Sequence, residues 1–236
     1  MAEMGLGYGS EFQRMRFLGH HRNELNKLIH EATNTDGQIE WLDFPYDDER
    51  ISGDGEWKGI SCFIELGKEK YTEIETEWNS YWPQRGTSMN WDGVFKIENT
   101  WFFVEAKAHK AESFQKCSAS SESSLKTISD AFKSTQEWLS KQGLTVHMDN
   151  KWIETDCYQL ANRLAFLHFC DKCNIKARLV YIGFVKGFRR IKDEVQYAEE
   201  WWGIWKEELE ALGVDIKEIA PYISFVHPNC ESENIK

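Results

Sequence analysis

Residues 90–107 read Asn-Trp-Asp-Gly-Val-Phe-Lys-Ile-Glu-Asn-Thr-Trp-Phe-Phe-Val-Glu-Ala-Lys. Two apolar runs rich in strand formers, 91–97 and 101–106, flank Glu98-Asn99-Thr100, a pattern that predicts a β-hairpin. Successive side chains on a strand point to opposite faces, so Trp101, Phe103, Glu105 and Lys107 share one face of the second strand. Asp92 opens the first strand. Antiparallel pairing across a turn at Asn99 brings it to the Glu105/Lys107 end, so two carboxylates and an ammonium meet on one patch.

Asp92, then Glu105-Ala106-Lys107 at the end of the next strand, resembles the signature of the PD-(D/E)XK nuclease superfamily, the fold of restriction endonucleases and many repair nucleases. The proline that usually precedes the Asp is replaced by Trp91. Trp82-Pro83-Gln84-Arg85-Gly86 ahead of Asn90-Trp91-Asp92, followed by Glu105-Ala106-Lys107-Ala108-His109, also resembles a bacterial branch of that superfamily with no assigned substrate. The resemblance implies an α/β domain of restriction-endonuclease-like architecture, a central mixed β-sheet flanked by α-helices. It implies Mg²⁺, or Mn²⁺, held by Asp92, Glu105 and the backbone carbonyl of Ala106, with Lys107 as catalytic partner. An acid from the first helix often completes such a site, and Glu24, ahead of Glu31, is the candidate here.

The 236 residues, 41% hydrophobic and 14% aromatic, are read as a single domain, 1–236, with an acidic helical C-terminal extension from about 191. No run approaches bilayer length, and residues 1–10 lack the basic and apolar parts of a signal peptide, so a cytoplasmic protein with no membrane partner is expected. Six cysteines without a sign of export are expected to stay reduced, and the lone Cys170-Asp171-Lys172-Cys173 lacks the second ligand pair of a structural zinc site. The net charge of -11 opposes tight nonspecific binding of a polyanion. Its distribution softens the objection: residues 191–236 carry eleven acids against four lysines, leaving a balance of -4 for the rest.

Upstream of the hairpin, residues 12–31 open with a basic approach, Arg14, Arg16, His20, His21 and Arg22, and then turn helical, with Leu25, Leu28 and Ile29 on one apolar face. Residues 38–46 predict a short strand, and 60–79 a looser helix. The loop 81–86 sets Trp82 beside Arg85, either to stack a base and clamp a phosphate or to pack Trp82 in the core around a turn. Downstream, His109 continues the face of Lys107 if the strand persists, and the serine-rich stretch 113–124 reads as loop.

A helix follows with Leu125, Ile128, Phe132 and Leu139 as its stripe and Gly143 as its stop. The next, about 155–173 with Thr155 or Asp156 as its cap, carries a leucine stripe and beside it Tyr158, Gln159, Asn162 and Arg163 one turn apart. In the superfamily a polar residue on the helix after the Glu-x-Lys strand faces the metal, and Gln159 matches that role in type and order. Residues 177–185 predict a buried strand beside the hairpin, with Lys186, Arg189 and Arg190 at its end as phosphate contacts. A long helix then buries Trp201, Trp205, Leu209 and Leu212, with Glu199, Glu200, Glu207, Glu208 and Glu210 assigned to its outer face, and 222–226 forms a last strand.

Phosphodiester hydrolysis needs a nucleophilic water, neutralisation of the phosphoryl oxygens and help for the leaving oxygen. The expected machinery is Asp92, Glu105, Lys107 and Gln159, with Trp82, Arg85, His109, Tyr158, Asn162 and Arg163 as substrate contacts and DNA preferred over RNA. Two other classes compete: a noncatalytic binding module that keeps the fold, and a metal-dependent hydrolase of a small phosphorylated compound.

Overall fold

Glu98 and Asn99 form a two-residue turn that sets the register of the central hairpin, with Ile97 facing Thr100 and Gly93 facing Val104. Glu98 takes φ 53°, a left-handed backbone that side chains other than Gly and Asn adopt at a cost. The computed structural model describes residues 9–44, 48–52, 55–84, 89–148, 151–188 and 194–232.

The hairpin strands, β4 (Gly93–Ile97) and β5 (Thr100–Lys107), lie inside a five-stranded sheet with β1 (Ile39–Trp41), β6 (Ala177–Gly183) and β7 (Ile223–Val226). The strand order is β1-β4-β5-β6-β7. Pairings β1/β4 and β4/β5 are antiparallel, β5/β6 and β6/β7 parallel, so the sheet is mixed. A second, two-stranded ribbon pairs β2 (Trp57–Lys58) with β3 (Asn90–Trp91), just ahead of Asp92.

Helices cover both faces, because the alternation along the strands is apolar on both sides. Phe102, Val104 and Ala106 of β5, with Val180 and Ile182 of β6, pack on Phe17, Leu18, Leu25 and Ile29 of α1 (Ser10–His20) and α2 (Arg22–Thr33). Trp101 and Phe103, with Leu179 and Tyr181, face the opposite layer. That layer holds α3 (Lys68–Tyr81), α4 (Glu122–Lys141), α5 (Tyr158–Lys172) and α6 (Ala198–Ala211). An aromatic knot joins the pieces: Phe166 of α5 lies 4.7 Å from both Trp91 and Phe103. Burying one such ring contributes about 2–3 kcal/mol.

The basic approach expected ahead of the first helix is itself helical, α1, and the chain breaks at His21, whose φ −126°, ψ 30° lies off the helical region. The break lets both halves turn apolar residues to the same sheet face. The looser stretch 60–79 is a 3₁₀ turn, Ser61–Leu66, and then α3, divided at Gly67 with φ 92°. The cap of α5 falls on Cys157, with no side-chain cap bond, whereas Thr155 accepts from the Cys157 N–H at 3.3 Å in the preceding turn. The acidic segment after 191 is built into the fold: α6 buries Trp201 and Trp205, and β7 forms an edge of the sheet. No helix among the described residues is long and apolar enough to cross a membrane.

Candidate active site

The sheet alternation sends Glu105 and Lys107 toward the layer that contains α5, at the carboxyl end of β5. Both are almost fully buried, at 3% and 4% exposure. Asp92 arrives from the lead into β4. Its backbone N–H donates to the Val104 carbonyl at 3.0 Å, and its Oδ2 accepts the Ala106 N–H at 2.7 Å, which pins the carboxylate to the motif strand.

Three side chains close on Glu105. Its Oε1 accepts from Lys107 Nζ at 2.6 Å and from Gln159 Nε2 at 2.9 Å. Its Oε2 accepts from Arg163 Nε at 2.8 Å and Nη2 at 2.6 Å. Gln159 completes the ring by accepting from Lys107 Nζ through its Oε1 at 2.6 Å. Arg163 is tied further: Nη2 also donates to the Asn90 carbonyl at 2.8 Å, Nη1 donates to Asn162 Oδ1 at 3.0 Å, and the guanidinium lies 4.5 Å over the Trp91 ring.

Electrostatics follow from this packing. Burial disfavours a charged Glu105, yet Arg163 and Lys107 together hold its carboxyl below the usual range. Burial likewise works against a charged Lys107, and Glu105 more than offsets it. Asp92 behaves oppositely. Desolvation, and then repulsion from Glu105, push its carboxyl up to about 7, although Arg14 opposes them. In the sequence Arg14 stands only as one of the basic residues leading into the first helix, without a place in the site. It reaches from α1 with Nη1 3.0 Å from the Asp92 carbonyl and 3.6 Å from Asp92 Oδ1. Its i,i+3 and i,i+4 spacing to Phe17 and Leu18 was the available signal for an inward-facing arginine.

Asp92, Glu105, Tyr158, Gln159, Asn162 and Arg163 line one cleft of about 1060 Å³. Ser118, Ser120 and Ser121 of the serine-rich stretch form another part of its wall, with Lys116. Trp82 borders the cleft too, but it is 6% exposed and packs 6.0 Å from both Trp78 and Phe132, so most of the ring is spent in the core.

Other sequence candidates fall elsewhere. His109 lies past the end of β5, with its ring 4.4 Å from Phe188 and its Nε2 3.5 Å from Glu112, away from the cleft lining. Glu24 is half-buried on α2 and does not line the cleft. Lys186 pairs with Glu231 at 3.4 Å. Arg85, Arg189 and Arg190 lie outside the described residues. Cys170 and Cys173 are free thiols, both pushed up by burial.

Glu208 corrects the outer-face assignment on α6, for it is 1% exposed. The positions Trp201, Ile204, Trp205, Glu208 and Leu209 recur at helical spacing, so Glu208 falls on the buried stripe. Periodicity alone could have found it, had the charge not argued for solvent.

Among the described residues no group of three or more His, Cys, Asp and Glu side chains gathers as a metal nest. The donor set is Asp92 and Glu105, hard oxygen ligands of the kind Mg²⁺ takes with several of its own waters. Their chemistry fits a dication in one definite respect: burial first and then repulsion from Glu105 raise the Asp92 carboxyl, and a bound divalent charge would oppose both. Compared with family models, curated proteins and solved structures, the chain has no match.

Proposed function

We propose that this protein is a metal-dependent phosphodiester hydrolase of restriction-endonuclease-like architecture, with DNA as the favoured substrate. One observation carries the reading: Glu105, Lys107 and Gln159, drawn from a hairpin and a helix far apart in sequence, are joined by bonds of 2.6–2.9 Å, and Glu105 and Gln159 line the same cleft as Asp92. The resemblance of Asp92 and Glu105-Ala106-Lys107 to the superfamily signature supports the same reading, and so does the mixed sheet with helices on both faces.

Asp92 and Glu105, with the Ala106 carbonyl, would hold Mg²⁺ or Mn²⁺, which supplies neutralisation of the phosphoryl oxygens and acidifies water. Glu105 keeps the Lys107 ammonium charged, and that ammonium orients the attacking water or balances charge developing on phosphate. Gln159, bonded to both, fixes the geometry of the pair. Asn162 and Tyr158 border the space left for substrate.

The test incubates the purified protein with single- and double-stranded DNA, with RNA and with a small phosphodiester, in Mg²⁺, Mn²⁺ or chelator, beside Lys107→Ala and Asp92→Asn. Metal-dependent cleavage that falls by about 100-fold or more in either variant is expected. Identical behaviour of wild type and Lys107→Ala under every condition would sink the proposal. A second reading, a module that binds without cleaving, draws on the saturation of Glu105 by Arg163, Lys107 and Gln159. Metal-independent binding of a nucleic acid with no cleavage would select it.

A further inference from the structure

An ionised carboxylate offers about four acceptor positions on its two oxygens. On Glu105 all of them are spent: Lys107 and Gln159 take Oε1, and the two Arg163 donors take Oε2. A cation cannot bind this carboxylate while those four contacts stand.

The contacts differ in how they can yield. Lys107 is on the same strand two residues on, and its position follows from the strand itself. Gln159 is neutral. Arg163 carries a full charge and, unlike Lys107, lines the cleft, so it is the partner whose place a dication would most directly take. It is also the partner best held without Glu105, because the Asn90 carbonyl, Asn162 Oδ1 and the Trp91 ring anchor the same guanidinium.

We propose that Arg163 is the resident counter-ion of Glu105, which a divalent cation displaces, and that the released Nε and Nη2 donors then face the cleft as a site for a phosphate oxygen. This rests on the reading of Asp92 and Glu105 as a metal site. The exchange conserves pairing: the carboxylate trades a guanidinium for a metal ion, and the guanidinium trades a carboxylate for a phosphate. A planar fork of donors suits that second partner as well as the first. Metal and phosphate then favour each other's binding, because each removes the group that competes with the other, and linkage makes the effect reciprocal.

Mn²⁺ binding, read from the loss of the free-ion paramagnetic resonance signal, tests this in wild type, Arg163→Gln, Arg163→Lys and Asp92→Asn, with and without inorganic phosphate. Arg163→Gln should bind Mn²⁺ about ten- to a hundredfold more tightly than wild type, the range that loss of a charge-assisted pair spans. Phosphate should tighten Mn²⁺ binding to wild type and leave Arg163→Gln unchanged. Should Arg163→Gln fail to fold, Arg163→Lys keeps the charge without the fork and should still bind Mn²⁺ several-fold more tightly than wild type. Unchanged or weaker Mn²⁺ binding in the folded arginine variants, with binding abolished in Asp92→Asn, overturns the exchange and leaves the metal site standing. Mn²⁺ binding absent from wild type and from both arginine variants overturns both.

Discussion

Glu208 shows how much one side chain can carry. It lies on α6 with Oε2 buried and no partner at hydrogen-bond distance among the described residues, and the nearby Ser113 hydroxyl only partly offsets that burial. Burial, against the opposing pull of Lys107, pushes its carboxyl up to about 8 from an ordinary 4.5. The folded protein therefore keeps a proton that the unfolded chain releases between those two values. Its contribution to stability is favourable below about pH 4.5 and is lost progressively as pH rises toward 8, by up to about 1.4 kcal/mol per pH unit. Glu208→Gln keeps the neutral shape and cannot ionise. Thermal melts at pH 5 and pH 8 should show the variant near wild type at the lower pH and more stable at the higher. A parallel decline of both proteins with pH would refute the assignment. The Arg163 exchange belongs to the same scale, since one guanidinium and one carboxylate decide it.

At the scale of elements, close approach governs β6 and α6. A Cβ on Gly183 would stand 2.5 Å from the Trp201 ring, so the last residue of β6 is a glycine because a tryptophan lies flat upon it. Gly183→Ala should destabilise by at least about 2 kcal/mol in denaturant unfolding, the usual cost of forcing atoms into a filled core. Wild-type stability in that variant would mean that α6 can move away freely. The hairpin was the most legible element, because alternation and a two-residue turn leave a single register that buries both faces. Helix α5 was legible as a helix and misleading as a surface. Its leucine stripe suggested a neighbouring polar face, yet every residue from Leu160 to Cys170 is buried, since the sheet lies on one side and α3 and α4 on the others. Asn162 and Arg163 are thus nearly buried groups in the cleft wall, and Arg163 meets Glu105 because little solvent reaches it.

For the whole molecule, the charge of -11 bears on the affinity for nucleic acid. The cleft itself presents Glu56, Asp92 and Glu105 against Lys116 and Arg163, so few phosphates can be neutralised there by the protein alone. Duplex DNA bound to Lys107→Ala in the presence of Mn²⁺ should show a shallow salt dependence, with a slope of log K against log salt no steeper than about −2. Fluorescence anisotropy across a salt series measures it, and a slope steeper than about −5 would place binding on a basic surface other than this cleft. Two histidines, His168 buried and His227 half-buried, contribute to acid sensitivity. His168 and His227 are each held near 4 by burial, so the unfolded chain takes up protons below about 6.5 that the folded one refuses. Stability should fall as pH drops from about 6.5 to 4, and His168→Gln should reduce that slope in pH-dependent melts. An unaltered slope would show that His168 titrates freely.

The amino-acid order determined by itself the hairpin, the facing of Glu105 and Lys107, the approach of Asp92 and the helix that brings Gln159, because alternation and helical period are local properties of the chain. Only the tertiary structure decided which charges are spent. That Arg163 saturates Glu105, that Arg14 reaches Asp92 from another layer, and that Glu208 is buried all depend on contacts between residues distant in sequence or on what covers a helix face. Charge at a given position reads the same in solvent and in a core; burial and its partners, which determine its energy, exist only after the layers have packed.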